Sequence, residues 1–186
     1  TSYDFLLKNY SSYVDETSSE KNQEEYDVFG TLLIKSSLPL KKINENSSEY
    51  FKPLISFRYS PNNTDDISNT NKRLSYNNIF ALNRIGTSSS VEGGKSISLG
   101  FKYENRDKND DKKFGLKLAN SIRNRKNENL PIKTTLNEER SDIVGNVSYI
   151  PNKTLSFDYT FSYDNNLKNS NSDSISTKLN FGFISS

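Results

Sequence analysis

An all-β fold is what this sequence predicts: an antiparallel up-and-down meander of the kind that walls a transmembrane β-barrel in a bacterial outer membrane. Three observations point there. Apolar and polar residues alternate with period two in segment after segment, the pattern of a strand with one apolar face. The chain is polar, with 32% hydrophobic residues and a mean hydropathy of -0.81. Yet it carries 11 Tyr and 11 Phe and a net charge of only +2, whereas disordered chains are poor in aromatics and high in net charge. Finally, the connections are polar and uneven in length, as in outer-membrane barrels with short turns at one end and long loops at the other. A barrel strand needs a single apolar face, so a low apolar content suits it.

In chain order, residues 3–8 form a first, partial strand. Residues 27–40 place Val28, Leu32, Ile34 and Leu38 on one side, and residues 51–59 do the same with Phe51, Ile55, Phe57 and Tyr59. Residues 74–82 collect Leu74, Tyr76, Phe80 and Leu82. In residues 96–103, Ile97, Leu99, Phe101 and Tyr103 oppose Ser96, Ser98, Gly100 and Lys102. Residues 113–122 set Phe114, Leu116 and Leu118 against Lys113, Gly115 and Lys117, and residues 143–150 contribute Val147 and Tyr149. The clearest alternation is residues 154–163, where Leu155, Phe157, Tyr159, Phe161 and Tyr163 oppose Thr154, Ser156, Asp158, Thr160 and Ser162. Residues 174–183 repeat it with Ile175, Thr177, Leu179, Phe181 and Phe183. A helix would scatter these aromatics around its axis; a strand gathers them. The nine segments approach the ~9–11 residues of a tilted membrane strand.

The alternation assigns sides. Leu155, Phe157, Tyr159, Phe161, Ile175, Leu179 and Phe181 are expected on a convex, lipid-facing surface. Ser156, Asp158, Thr160, Ser176, Lys178 and Asn180 are expected to line a wet lumen. Tyr at strand ends (Tyr59, Tyr103, Tyr149, Tyr163) suits interfacial girdles. The same stripe could instead be the core of a soluble sandwich, but sandwich strands usually run ~5–6 residues.

Between strands, Pro151-Asn152-Lys153 is a tight turn, and residues 124–142 and 165–173 are long loops. Counted from the Pro151 turn, those loops are extracellular and residues 104–112 periplasmic; residues 61–73 are long for the periplasmic turn that nine strands require. Pro39, Pro61, Pro131 and Pro151 lie at strand ends or in loops, where a missing N–H is tolerated, while Pro53 falls inside a strand near its start. Several motif-like features have plain readings. Val91-Glu92-Gly93-Gly94-Lys95 lacks P-loop spacing and is a glycine turn. Asp110-Asp111 beside Lys112-Lys113 is a self-neutralised loop, and Glu138, Glu139 and Asp142 around Arg140 are a loop charge network.

Absences narrow the chemistry. Without Cys or His there is no disulfide, no thiolate site and no Ser-His-Asp or Cys-His arrangement. A carboxylate-only or Ser–Lys site stays open, but an enzyme is the least expected class. No cofactor or metal and no nucleic-acid partner is expected. No apolar run approaches the ~20 residues of a membrane helix.

Specific stretches suggest a family. Phe51-Lys52-Pro53-Leu54-Ile55-Ser56-Phe57-Arg58-Tyr59-Ser60-Pro61 resembles the "leucine, acidic, proline, alternating strand, proline" segment of the lipopolysaccharide-assembly protein family LptD, with Lys52 where that family carries the acidic residue. Residues 30–40 with Leu38-Pro39-Leu40 resemble the preceding strand. Asn78-Ile79-Phe80-Ala81-Leu82-Asn83-Arg84-Ile85-Gly86, then Glu92-Gly93-Gly94-Lys95-Ser96, then Ser141-Asp142-Ile143-Val144-Gly145 follow in the family's order. The resemblance spans about residues 28–183. It implies a wall segment, residues 1–186, of a large barrel that delivers lipopolysaccharide into the outer leaflet at the cell outer membrane. Its implied partners are lipopolysaccharide, a plug lipoprotein of the assembly complex, periplasmic bridge proteins and membrane lipid. An odd strand count also suits a segment, since single-chain barrels close with even counts. The rival readings are a complete small porin-like or adhesion barrel and a soluble β-sandwich binding module.

Overall fold

The computed structural model describes residues 1–14, 23–87 and 90–180. Among these residues it is a single nine-stranded sheet. The strands are β1 (Ser2–Val14), β2 (Gln23–Ser37), β3 (Leu40–Ile43), β4 (Ser47–Ser60), β5 (Gly94–Asp107), β6 (Lys112–Arg123), β7 (Ile143–Tyr149), β8 (Leu155–Tyr163) and β9 (Ser170–Leu179). They run in the order β1-β2-β4-β5-β6-β7-β8-β9, with β3 beside β4. Every pairing is antiparallel. The only helix among the described residues is one 3-10 turn, Ile132–Thr134. The predicted antiparallel meander is therefore the observed fold.

Three elements differ from expectation. Residues 27–40 are not one strand. β2 and β3 share one register on β4, since Ser37 faces Leu54 and Leu40 faces Phe51. Two prolines interrupt it. Leu38 donates its N–H to the Pro53 carbonyl at 3.3 Å, but Pro53 has no N–H to return, and Pro39 removes another donor. Residues 74–82 are not a strand at all: they form turns within one long connection, residues 61–93. Leu74, Ile79 and Phe80 are buried, and Tyr76 and Leu82 half-buried. An apolar pattern reports burial, and here the burial is against side chains of the sheet instead of along a hydrogen-bonded ladder. Removing this strand also restores the parity of the meander. Connections 61–93, 124–142 and 164–169 now all leave one end of the sheet, while residues 44–46, 108–111 and 150–154 turn at the other. β9 begins earlier than the sequence pattern suggests, at Ser170, because Tyr163 pairs with Ser170 across an irregularity.

Cross-strand register sorts side chains into two faces. One row runs Leu54, Gly100, Ala119, Val144, Ser162; the next runs Lys52, Lys102, Lys117, Asn146, Thr160, Ser174. This is the inner face, onto which the long connections fold. The core lies there: Ala119 and Val144 from the sheet, with Leu54 against them, pack with Leu74, Ile79, Phe80 and Ile85 of the first long connection and Leu130 and Leu136 of the second. The outer face carries Phe51, Tyr103, Leu116, Val147, Tyr159 and Ile175 in one such row.

Gly100 is where the core meets the sheet. A Cβ there would lie 2.9 Å from the Phe80 ring, 2.7 Å from the Ala119 Cβ and 2.5 Å from the Leu118 carbonyl. Gly100→Val is expected to expel Phe80 and cost ~1–3 kcal/mol by overpacking. Urea unfolding in detergent checks this, and an unchanged midpoint would show that Phe80 does not need the space.

Candidate functional site

The inner face is organised by its first long connection. Asn62 anchors it to β2 through Nδ2 to the Val28 carbonyl at 2.8 Å and Oδ1 from the Gly30 N–H at 2.8 Å. Lys8 of β1 donates to the Thr87 carbonyl at 2.5 Å, and Arg73 donates to the Asn171 carbonyl of β9 at 2.7 Å. One connection therefore reaches from the first strand to the last across the inside of the sheet. The second connection binds it in turn: Asn127 donates to Thr64 Oγ1 at 3.1 Å, Asn129 to the Thr64 carbonyl at 2.7 Å, and the Ile67 N–H to the Asn129 carbonyl at 2.9 Å.

Its clamp is a buried charge cluster. Glu92 and Arg84 belong to the connection, Arg58 to β4 and Arg123 to β6. All four are buried, Glu92 completely. Register places Arg58, Ser96 and Arg123 side by side on neighbouring strands. Arg84 grips Glu92 with two bonds of 2.5 Å, from Nε to Oε2 and from Nη2 to Oε1. Its remaining donors reach Ser96 at 3.0 Å, Ser98 at 3.1 Å and Ser121 at 2.7 Å. All five guanidinium donors are thereby used. Arg123 Nη1 also meets Glu92 Oε1, and its Nη2 donates to the Gly93 carbonyl at 2.7 Å. Arg58 donates to the Leu82 carbonyl at 3.0 Å and to the Glu92 carbonyl at 2.5 Å, with its guanidinium 3.8 Å from Glu92 Oε2. Burial alone pushes the Glu92 carboxyl up, but Arg84, Arg58 and Arg123 together hold it well below the usual carboxylate range, at about 2. Gly93 lets the backbone pass, since a Cβ there would fall 2.1 Å from the Asn62 carbonyl oxygen.

The Val91 to Lys95 stretch is thus more than a turn: it delivers the carboxylate at the centre of the cluster. The signal in the sequence was the phase of Arg58 and Arg123, which fall on the small, polar side of their strands with Ser56, Ser60 and Ser121. The loop charge network expected around Arg140 also resolves differently. Glu138 pairs with Lys126 at 2.5 Å. Asp142 is buried and accepts from Thr135 at 2.5 Å, Ser162 at 2.7 Å and Asn171 at 2.9 Å, tying the second connection to β8 and β9. Asp110 and Asp111 do form a neutralised turn, with Arg106 on Asp110 at 3.1 Å and Lys153 near Asp111 at 3.9 Å.

The β8–β9 register brings the sequence-assigned residues together as two sets. Leu155 faces Leu179 and Tyr159 faces Ile175, with Phe157 and Phe161 on the same outer side. Ser156 faces Lys178, Asp158 faces Ser176 and Thr160 faces Ser174 on the inner side. Asn180 follows the end of β9, its N–H bonded to the Thr154 carbonyl at 2.8 Å. Phe181 lies outside the described residues. The outer aromatics form a continuous stripe: Tyr159 and Phe161, and Phe161 and Tyr163, have ring centroids 5.5 Å apart. Large apolar side chains on this face are exposed from β1 to β9, including Phe5, Ile55, Leu99, Phe157 and Ile175, the last 76% accessible.

No helix among the described residues is long and apolar enough to cross a membrane, a statement that leaves β-barrels untouched. No group of three or more carboxylates that could hold a metal ion occurs among the described residues. No curated protein matches the chain. The family model described as "LptD: LPS transport system D" matches residues 2–183, nearly the whole chain. With its antiparallel meander and its order of motifs, the chain belongs to the LptD family, a component of lipopolysaccharide transport.

Proposed function

We propose that residues 1–186 form one partial transmembrane domain, a wall segment of a large outer-membrane barrel through which lipopolysaccharide is delivered into the outer leaflet. The observation that carries this reading is the inverted covering of the sheet. Its polar face is roofed by its own loops, while its apolar face is left bare among the described residues. A soluble sandwich would do the reverse, packing a second sheet on the apolar face. Lipid is the cover that suits such a surface, because a closed sheet satisfies every backbone group and only side chains meet the hydrocarbon. The dimensions agree. From Phe51 to Tyr59 the outer face of β4 runs about 26 Å at ~3.3 Å per residue, or about 20 Å along the membrane normal at a typical ~40° tilt, close to the apolar band of such barrels.

In this reading Leu155, Phe157, Tyr159, Phe161, Ile175, Leu179 and Phe181 touch membrane lipid. Ser156, Asp158, Thr160, Ser176, Lys178 and Asn180 line the lumen. The end bearing residues 61–93, 124–142 and 164–169 is extracellular, and the short turns are periplasmic. The plug lipoprotein would sit against the inner face, and periplasmic bridge proteins would supply lipopolysaccharide from the turn side. The segment carries no catalytic chemistry in this role.

Residues 1–186 contain no cysteine, so the test needs only that any cysteine elsewhere in the protein be replaced. Single cysteines introduced as F157C and D158C, labelled with a fluorophore in the full-length protein, are reconstituted into vesicles containing brominated lipid. Quenching is expected at position 157 and not at 158. Quenching at 158 instead would reverse the sidedness, and quenching at neither would remove the sheet from the bilayer.

A further inference from the structure

Between the two long connections, beside the ends of β5 and β6, lies a cleft of about 450 Å³, within the ~300–1,000 Å³ range of small-ligand pockets. Asn63, Arg123, Arg125, Asn127 and Asn129 line it, with Glu128 as its one carboxylate, exposed at the surface. The charge cluster stands directly behind it. Among the described residues that cluster sets three guanidiniums, those of Arg58, Arg84 and Arg123, against the single carboxylate of Glu92. Two positive charges are therefore left over in a buried site, which is costly without a nearby anion. Arg123 is the member that lines the cleft. It is only 5% exposed, and its Nε, buried from solvent, makes no hydrogen bond. Arg125 adds a further, exposed cation, whereas Lys126 is held by Glu138. The walls are pre-set, because Asn127 and Asn129 are fixed by their bonds to Thr64. The Asn63 amide has no partner among the described residues.

We propose that this cleft binds a phosphosugar, with its phosphate toward Arg123 and Arg125 and its hydroxyls on the asparagine amides. The exposed Arg125 guanidinium can meet phosphate oxygens in pairs. Arg123 adds its positive charge with only Nε free, its Nη groups being held by Glu92 and Gly93, and a polar cleft rich in amides suits hydroxyl groups. The inference rests on the transport reading for its biological meaning, since in that reading the cleft opens at the extracellular end, where the sugars of lipopolysaccharide lie.

The full-length protein in detergent is titrated calorimetrically with N-acetylglucosamine 1-phosphate, N-acetylglucosamine and inorganic phosphate. The phosphosugar is expected to bind at one site per chain, at least tenfold more tightly than either of the other two. R125Q is expected to weaken it roughly tenfold, the worth of one charged hydrogen bond. Arg125 is exposed, so the variant should fold, and an unchanged protease pattern confirms that it does. Equal binding of the neutral sugar, equal binding of inorganic phosphate, or no effect of R125Q in a folded protein would each overturn the proposal. Lipid quenching at positions 157 and 158 does not depend on this cleft. Failure of the titration with normal quenching therefore refutes the cleft alone, and failed quenching with intact titration refutes the transport reading alone.

Discussion

Glu92→Gln is expected to free residues 61–93 from the inner face. The substitution keeps the shape of the side chain but leaves Arg58, Arg84 and Arg123 buried with no counter-charge. Breaking a buried ion pair from one side costs ~3–5 kcal/mol, and here three partners lose theirs. Equilibrium unfolding in detergent should show a loss of that order, and limited proteolysis should open new cuts between residues 61 and 93. Acid should act on the same group. Glu92 titrates at about 2 in the folded protein instead of its ordinary 4.5. A depressed carboxylate contributes stability that is full above pH 4.5 and disappears as the pH falls toward 2. The shift corresponds to on the order of 3 kcal/mol. E92Q should therefore be less stable than the parent at neutral pH and nearly equal to it near pH 2. A constant difference across that range would show that Glu92 is not the charge at the centre of the clamp.

The second large effect belongs to the outer face. Tyr159→Arg, midway along the apolar stripe of β8, is expected to cost ~2–4 kcal/mol when the full-length protein folds into a bilayer, because the guanidinium enters hydrocarbon. Phe157→Arg should follow at a similar size. Asp158→Arg, one residue away but pointing inward, should change stability by no more than about 0.5 kcal/mol, as for an ordinary wet surface. Folding free energies measured in lipid vesicles decide it. Equal costs at 158 and 159 would remove lipid from the outer face.

Much of the fold is legible in the sequence because strand alternation is a local, period-two signal. Leu155 to Tyr163 announces its two faces, and register pairs Leu155 with Leu179 and Tyr159 with Ile175 on one of them. The strand boundaries are less legible. β9 starts at Ser170, in a stretch of Ser, Asn and Asp whose side chains give no apolar phase; only pairing with β8 extends it. The break after Ser37 is half visible. Pro39 marks it, but the reason it interrupts the ladder is Pro53 on the facing strand, which no single segment reveals.

What the sequence determined by itself is the set of residues that can share a face, since pleating places i and i+2 together wherever a strand forms. What only tertiary structure decided is which apolar residues are packed under the loops of the inner face and which stay exposed on the outer face. Leu74, Phe80 and Leu82 alternate like the residues of β4, yet they belong to a connection folded inward, where Phe80 enters the space left by Gly100. Likewise Glu92 appears as one acid in a glycine turn until arginines of two strands and of its own loop converge on it. Arg58, Arg84 and Arg123 are 26 or more positions apart along the chain. Hydrophobic phase is carried by each segment alone, but a buried charge is stable only where distant partners arrive together, and the fold alone supplies them.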